Sequence, residues 1–345
     1  MSRFDCPIHV MFCWLLICVS GCSSNSSGDG ASAPEFKSVE PDEKPPVSEN
    51  PPMLTANELR EALGANENAH FEKAGRNFVT AVLANSGVKT LEPLRGQPLK
   101  HINLNQTEIV DLSPLAGMPL EEVLIGETEI SDISPLKGAP IKGFEASHSK
   151  VADLTAFEGN MQLTHLYLES ALVSDISPLK SCPLQVLWLR GCPVEDLSIL
   201  QGKSLEQLNL CDTPLQNLDT VKTMQLGTLW MRNTNVKNLA PLADHELVSL
   251  DVEGSAVSDL KPLANMSSLK RLNIARTEVT DLSPLSELAL ERLIFTPSKI
   301  QSGIESIRAM PTLREIDTSF EEGPARSPSE FWELYDAGKF KGESS

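Results

Sequence analysis

Tyrosine and tryptophan are nearly missing from this chain. It has two Tyr and four Trp in 345 residues, and aromatics of all kinds make up only 5%. Where they sit is therefore informative. Basic residues are also in deficit: 29 Lys and Arg stand against 47 Asp and Glu, a formal net charge of −18. That balance excludes nucleic-acid binding, which needs a basic patch. It equally excludes docking on anionic lipid by charge alone.

Cysteine is scarce where a fold could use it. Seven are present, but only Cys182, Cys192 and Cys211 fall beyond residue 22. Three is odd, so no complete disulfide framework forms, and the three read as buried, inert thiols. Beyond residue 22 there is no CxxC pair and no His/Cys cluster with zinc spacing. The six histidines, His9, His70, His101, His148, His165 and His245, sit in no nucleophile or metal motif. Gly-x-Ser-x-Gly, a phosphate loop and His-Glu-x-x-His do not occur. The expectation is a non-enzyme with no cofactor and no metal.

What is abundant is repetition. The phrase Leu-x-x-Leu-x-Leu-x-x-Thr-x-Val-x-Asp-Leu-Ser-Pro-Leu returns ten times, every 21 or 22 residues. Its first position falls at Leu99, Leu120, Ile141, Leu163, Leu184, Leu205, Leu226, Leu247, Leu269 and Leu290. A period that short marks a solenoid, whose units cannot bury their apolar faces alone and stack on each other. Leu184, Leu187 and Leu189 fit a short strand, and Val194, Leu197 and Leu200 return along the other side. In Asp111-Leu112-Ser113-Pro114-Leu115 the proline excludes regular strand and favours a tight turn or 3-10 piece. Asp132, Asp175, Asp259 and Asp281 recur at the same place. Asn217 and Asn238 replace them without a compensating acid, so the column reads as caps for backbone amides rather than calcium ligands.

These repeats resemble bacterial leucine-rich repeats of the internalin-like type. Thr107, Thr128, Thr213, Thr234 and Thr277 hold the position where many such repeats carry asparagine. The chain is also similar to repeat regions of planctomycete-type proteins, some of which end in a Glu-Phe-Trp-Glu-like tail, here Glu330 to Glu333. The resemblance implies an α/β repeat solenoid with a concave parallel sheet, convex 3-10 and turn segments, and helical caps at both ends. It also implies a concave face that binds a protein partner.

The ends read differently. Val10–Val19 is an apolar run of ten residues, about half of the ~20 a spanning helix needs, so it reads as a signal-peptide core. Val19-Ser20-Gly21-Cys22 resembles the lipobox of bacterial lipoproteins. That resemblance implies cleavage before Cys22, acyl chains on it, and a lipid-anchored place in the cell envelope. In the lipoproteins it resembles, a serine at the place of Ser23 implies outer-membrane sorting. The expected order is a signal peptide (1–21), lipidated Cys22 with a disordered linker (22–54), a helical N-terminal cap (55–97), the repeats (98–318), and a C-terminal cap helix and tail (319–345). Thr55-Ala56-Asn57-Glu58 reads as a capping box that opens a short helix. A second helix is expected with Phe71, Ala74, Phe78 and Val82 on one face. Ile300 to Met310 reads as helical. Ser327-Pro328-Ser329-Glu330 opens a last helix whose Trp332 and Tyr335 seal the end of the stack.

Within each repeat, the residue between the second and third apolar strand positions points to the concave face. That column runs Asn103, Leu124, Glu145, Tyr167, Trp188, Asn209, Trp230, Asp251, Asn273, Ile294. Three of the six Trp and Tyr residues thus share one column, expected to be exposed. Arg190 and Arg232 stand two residues further on. Trp, Tyr and Arg dominate interface hot spots. The candidate patch is Tyr167, Trp188, Arg190, Trp230 and Arg232, flanked by His165 and Glu169. Glu121, Glu122 and Glu127 are expected to make one end of the face acidic; Lys270, Arg271, Arg276 and Arg292 are expected to make the other basic. The expected function is a membrane-anchored, protein-binding module of the envelope. A glycan or peptidoglycan ligand on the aromatic column, or a structural role with no ligand, are the alternatives.

Overall fold

The computed structural model describes residues 54–320 and 325–340. The expected signal peptide, the lipidated Cys22, nearly all of the linker and the last five residues lie outside them. Thirteen strands form one sheet in sequence order. They are β1 (His70–Ala74), β2 (Asn77–Val82), β3 (His101–Asn103), β4 (Glu122–Leu124), β5 (Gly143–Glu145), β6 (His165–Tyr167) and β7 (Val186–Trp188). There follow β8 (Ser204–Asn209), β9 (Gln225–Trp230), β10 (Ser249–Asp251), β11 (Arg271–Asn273), β12 (Arg292–Ile294) and β13 (Glu315–Asp317). β1 runs antiparallel to β2, and from β2 onward neighbours are parallel. The expected leucine-rich solenoid is what the chain forms.

The repeat period sets the register. Leu166 pairs with Leu187, Leu187 with Leu208, Leu208 with Leu229 and Leu229 with Leu250. Equivalent leucines therefore stack, and all of them are buried in one continuous core. Each contributes about 1.5–3 kcal/mol over an exposed side chain. The chain turns at short 3-10 segments such as Ser113–Leu115, Ser134–Leu136 and Ser283–Leu285, with proline in the first turn, where a missing N–H costs little. Just before them, Asp111, Asp132, Asp175 and Asp281 accept the amide N–H two residues on at 2.7–2.9 Å. Asn217 and Asn238 accept the same way.

The threonine column also has a fixed duty. Thr107, Thr128, Thr213, Thr234 and Thr277 are buried, and each hydroxyl donates to the carbonyl three residues back at 2.6–2.9 Å. Just before this column, which Ser149 and Ala171 continue, the chain takes left-handed backbone at Gln106, Glu127, His148, Ser170, Asp212, Asn233 and Arg276. The N–H of most of these reaches a carbonyl of the next rung, as in Asp212 to Arg232 at 2.8 Å. That inter-rung bond offsets a conformation non-glycine residues rarely adopt.

The N-terminal cap corrects one expectation. Helix α1 (Ala56–Ala62) forms with its Thr55–Glu58 capping box. The second expected helix is instead the hairpin β1–β2, joined through Gly75 in left-handed backbone. The spacing of Phe71, Ala74, Phe78 and Val82 fitted a helix. The exposed edge of the solenoid, however, offers ladder bonds to a strand, and β2 extends the parallel sheet by one rung. At the other end Ile300–Met310 is helical only over α2 (Ile304–Arg308). Helix α3 (Pro328–Asp336) forms with its Ser327–Glu330 capping box. Its Phe331 is fully buried against Phe295 and Phe340, with ring centroids 5.6 and 4.9 Å apart. Arg308 lies 4.8 Å from the Trp332 ring and bonds both oxygens of Asp336, tying α2 to α3.

Candidate partner-binding face

On each rung three side chains, two on the strand and one just past it, face away from the core. Rung seven shows the pattern: Val186, Trp188 and Arg190 point outward, while Leu187 and Leu189 point inward. Parallel pairing then lines up Tyr167, Trp188, Asn209 and Trp230 side by side. The structure brings the aromatic members together. Tyr167 meets Trp188 edge to face at 5.1 Å, and Trp188 meets Trp230 edge to face at 5.7 Å. Trp188 and Trp230 thus touch across the intervening Asn209, which is buried. The Trp188 Nε1–H donates to Gln207 Oε1 at 3.3 Å. Edge-to-face geometry is the favoured aromatic pairing and adds about 0.5–1.5 kcal/mol per pair.

Exposure departs from expectation along this column. Trp188 and Trp230 are half-exposed, but Tyr167 is only 6% exposed. Its neighbours supply the reason: side chains of adjacent strands lie about 4.8 Å apart and cover one another. Burial also raises the Tyr167 hydroxyl above its ordinary range. Glu169, expected to flank the patch, is 5% exposed. Burial pushes its carboxyl upward, against the lowering charges of Arg190 and His148. His165 is half-exposed and bonded to the Thr164 hydroxyl at 2.8 Å.

Both arginines are fixed by acids of the following rung. Arg190 Nε donates to Asp212 Oδ2 at 2.8 Å. Asp212 stays below the usual carboxylate range despite partial burial, because Asn233 and Arg190 donate to it. Arg232 Nε lies 3.1 Å from Glu253 Oε2, and Glu253 also takes Arg276 at 2.7 Å and Asn273 Nδ2 at 2.9 Å. Asn273 donates as well to Asp251 Oδ2 at 3.2 Å. Asp251 is 5% exposed, and burial pushes its carboxyl up to about 6. Between the two arginines lies Cys211, whose sulfur accepts the Arg232 N–H at 3.3 Å. Burial pushes its thiol up to about 12, so it is unreactive.

Asp212, Asp251, Glu253 and Asn273 escaped the sequence reading as partners of the patch. The signal was available: Glu253 holds the same repeat position as Arg190 and Arg232, three rungs and one rung away. The expected charge gradient is largely neutralised. Glu121 is held by Lys142 and Lys100, which bring it down to about 2. Glu122 pairs with His101, and Glu127 accepts from Gln106. At the other end Arg276 and Arg292 are bound to Glu253 and Glu315, while Arg271 is exposed.

No family model matches the chain, and no curated protein matches it. Solved structures do. An internalin (inlF) from Listeria monocytogenes aligns at a TM-score of 0.58 and 20% identity, over 76% of this chain and 89% of that one. The leucine-rich ectodomain of the receptor kinase GASSHO1/SCHENGEN3 from Arabidopsis thaliana aligns at 0.47 and 15%, over 79% and 33%. The functional domain of InlJ from Listeria monocytogenes aligns at 0.42 and 15%, over 68% and 62%. The chain has the leucine-rich repeat fold of internalin-type structures.

Proposed function

We propose that the chain is a protein-binding module that docks its partner on the concave face over Trp188 and Trp230, and that it acts as a receptor or scaffold rather than an enzyme. One observation carries the reading. Two half-exposed tryptophans touch at the middle of the sheet, in a chain that has only four. Large rigid rings beside anchored arginines are the composition of an interface hot spot. The rings meet edge to face, at 79° and 81°, so the row offers no flat platform of the kind sugar rings stack on. That favours a protein over a glycan.

The proposal includes attachment to the cell envelope through acylated Cys22, which would hold the solenoid at a membrane. Cys22→Ser should move the protein from the detergent-soluble membrane fraction to the aqueous fraction; unchanged fractionation would remove the anchor.

The binding test uses the native chain and a Trp188→Ala/Trp230→Ala variant as paired baits against envelope extract, with folding checked by circular dichroism. A protein captured by native bait alone supports the face. Equal capture by both moves the site elsewhere. Capture that survives protease digestion of the extract replaces the protein partner with a glycan.

A further inference from the structure

The surroundings of the tryptophan pair are unevenly charged. From β5 to β10 the outward positions carry Glu145, Glu169, Asp251 and Glu253, with Asp212 at the turn just after them, against Arg190 and Arg232. Arg276 reaches back from the next rung to Glu253. Five carboxylates thus face three guanidiniums. All three are already committed: Arg190 to Asp212, Arg232 and Arg276 to Glu253. Two negative charges remain in surplus, and Glu145, Glu169 and Asp251 are each buried and accept from neutral donors. Exposed Arg271 stands two rungs past Trp230, roughly 10 Å away, about a Debye length at physiological salt.

The rings themselves give a second, independent observation. At three other aromatic sites a cation of the chain lies over the ring. Lys73 lies 4.3 Å from the Phe78 ring, Arg308 4.8 Å from Trp332, and Arg292 5.3 Å from Phe320. Among the described residues no cation lies over Trp188 or Trp230. Electron-rich indole rings on half-exposed side chains, set in surplus negative charge, attract a cation.

We propose that the partner protein presents a basic segment to this face, with a lysine or arginine side chain seated on the Trp188–Trp230 pair. The inference rests on the concave-face reading above and names the chemistry of its partner. The row selects charge through its rings. The acid surplus selects its sign and speeds encounter. The net charge of −18 acts in the same direction over longer range.

The test is a calorimetric titration of the full chain with three short peptides of alternating glycine and arginine, glycine and citrulline, or glycine and glutamate. Citrulline keeps the shape of arginine without its charge. The arginine peptide should bind about tenfold or more tighter than the citrulline peptide. The preference should vanish in Trp188→Ala/Trp230→Ala and shrink several-fold in Glu169→Gln and Asp251→Asn, which keep the tryptophans. If the double variant does not fold, the two neutralising variants carry the test alone. Equal binding of arginine and citrulline peptides, preference for glutamate, or no binding at all overturns the proposal. So does an arginine preference that survives the loss of both rings or of both charges, since that is attraction to the acidic surface at large. Capture of a protein partner that depends on the tryptophans, beside equal arginine and citrulline binding, keeps the face and removes only the cation.

Discussion

The carboxylate of Glu145 occupies the space in which residue 126 would carry a side chain. A Cβ built on Gly126 would lie 2.5 Å from Glu145 Oε2 and 2.7 Å from Oε1. The Gly126 N–H meanwhile donates to that carboxylate at 3.1 Å and to Asn105 Oδ1 at 2.8 Å. Gly126→Ala must therefore move a buried charged group off its donors, and should cost about 1–3 kcal/mol. Glu145→Ala empties the space, so alanine at 126 should cost less in that background. Urea unfolding of the four proteins should give a coupling of about 1 kcal/mol or more. Additive costs would show that the two residues do not compete for this space.

The solenoid was legible because its cause is periodic. Leucine at fixed intervals says which side chains stack, whatever lies between them, and Leu187, Leu208 and Leu229 fall in register as the spacing requires. The hairpin β1–β2 was not legible. Phe71, Ala74, Phe78 and Val82 satisfy a helical period, and only the unpaired edge of β3 makes a strand the better choice for 77–82. The tryptophan pair was legible from the column alone. Burial of Tyr167 and Glu169 was not, since it depends on how neighbouring rungs lean over each other. The same holds for Glu253, whose value comes from Arg232 and Arg276 arriving from both sides.

Two glycines with nearly the same backbone should respond differently to alanine. Gly303 has φ +84° and Gly138 φ +82°. A Cβ at Gly138 meets nothing within 4 Å, whereas at Gly303 it would strike the backbone of Leu282 and Ser283. Left-handed backbone alone costs a non-glycine residue about 1–2 kcal/mol. Gly138→Ala should lose about that much. Gly303→Ala should lose about 3 kcal/mol or more, because backbone cannot swing aside. Comparable thermal midpoints for the two variants would show that surroundings do not matter at these turns.

The aspartate column predicts indifference to calcium. Asp132 Oδ1 accepts the Ser134 amide at 2.8 Å, as Asn238 Oδ1 accepts that of Ala240 at 2.9 Å. Asp132→Asn should leave stability within about 0.5 kcal/mol, while Asp132→Ala should cost about 1 kcal/mol through the lost acceptor. Chelation with EDTA should not move the thermal midpoint of the native chain. A fall on chelation, restored by calcium, would assign the column to metal after all.

Buried Asp251 should make the fold less stable as pH rises toward neutrality. Burial pushes its carboxyl up to about 6, although the Glu253 amide and Arg232 act to lower it. In the unfolded chain an aspartate titrates near 3.9. Between about pH 4 and 6 the folded protein therefore holds a proton that the unfolded chain has lost. Stability then falls as pH rises through that window. The loss is at most about 3 kcal/mol for a shift of roughly two units. Asp251→Asn cannot titrate, yet its Oδ1 can still accept the Glu253 N–H, as Asp251 does at 3.0 Å. The Glu145 and Glu169 carboxyls are also raised by burial, but both proteins retain them. Comparison of the two proteins therefore isolates residue 251. The urea midpoint of the native chain should drop more between pH 4.5 and pH 7 than that of the variant, by roughly 1–3 kcal/mol in free energy. Parallel pH profiles would mean that Asp251 is ionised in the fold throughout, and that Arg232 and Asn273 satisfy its charge.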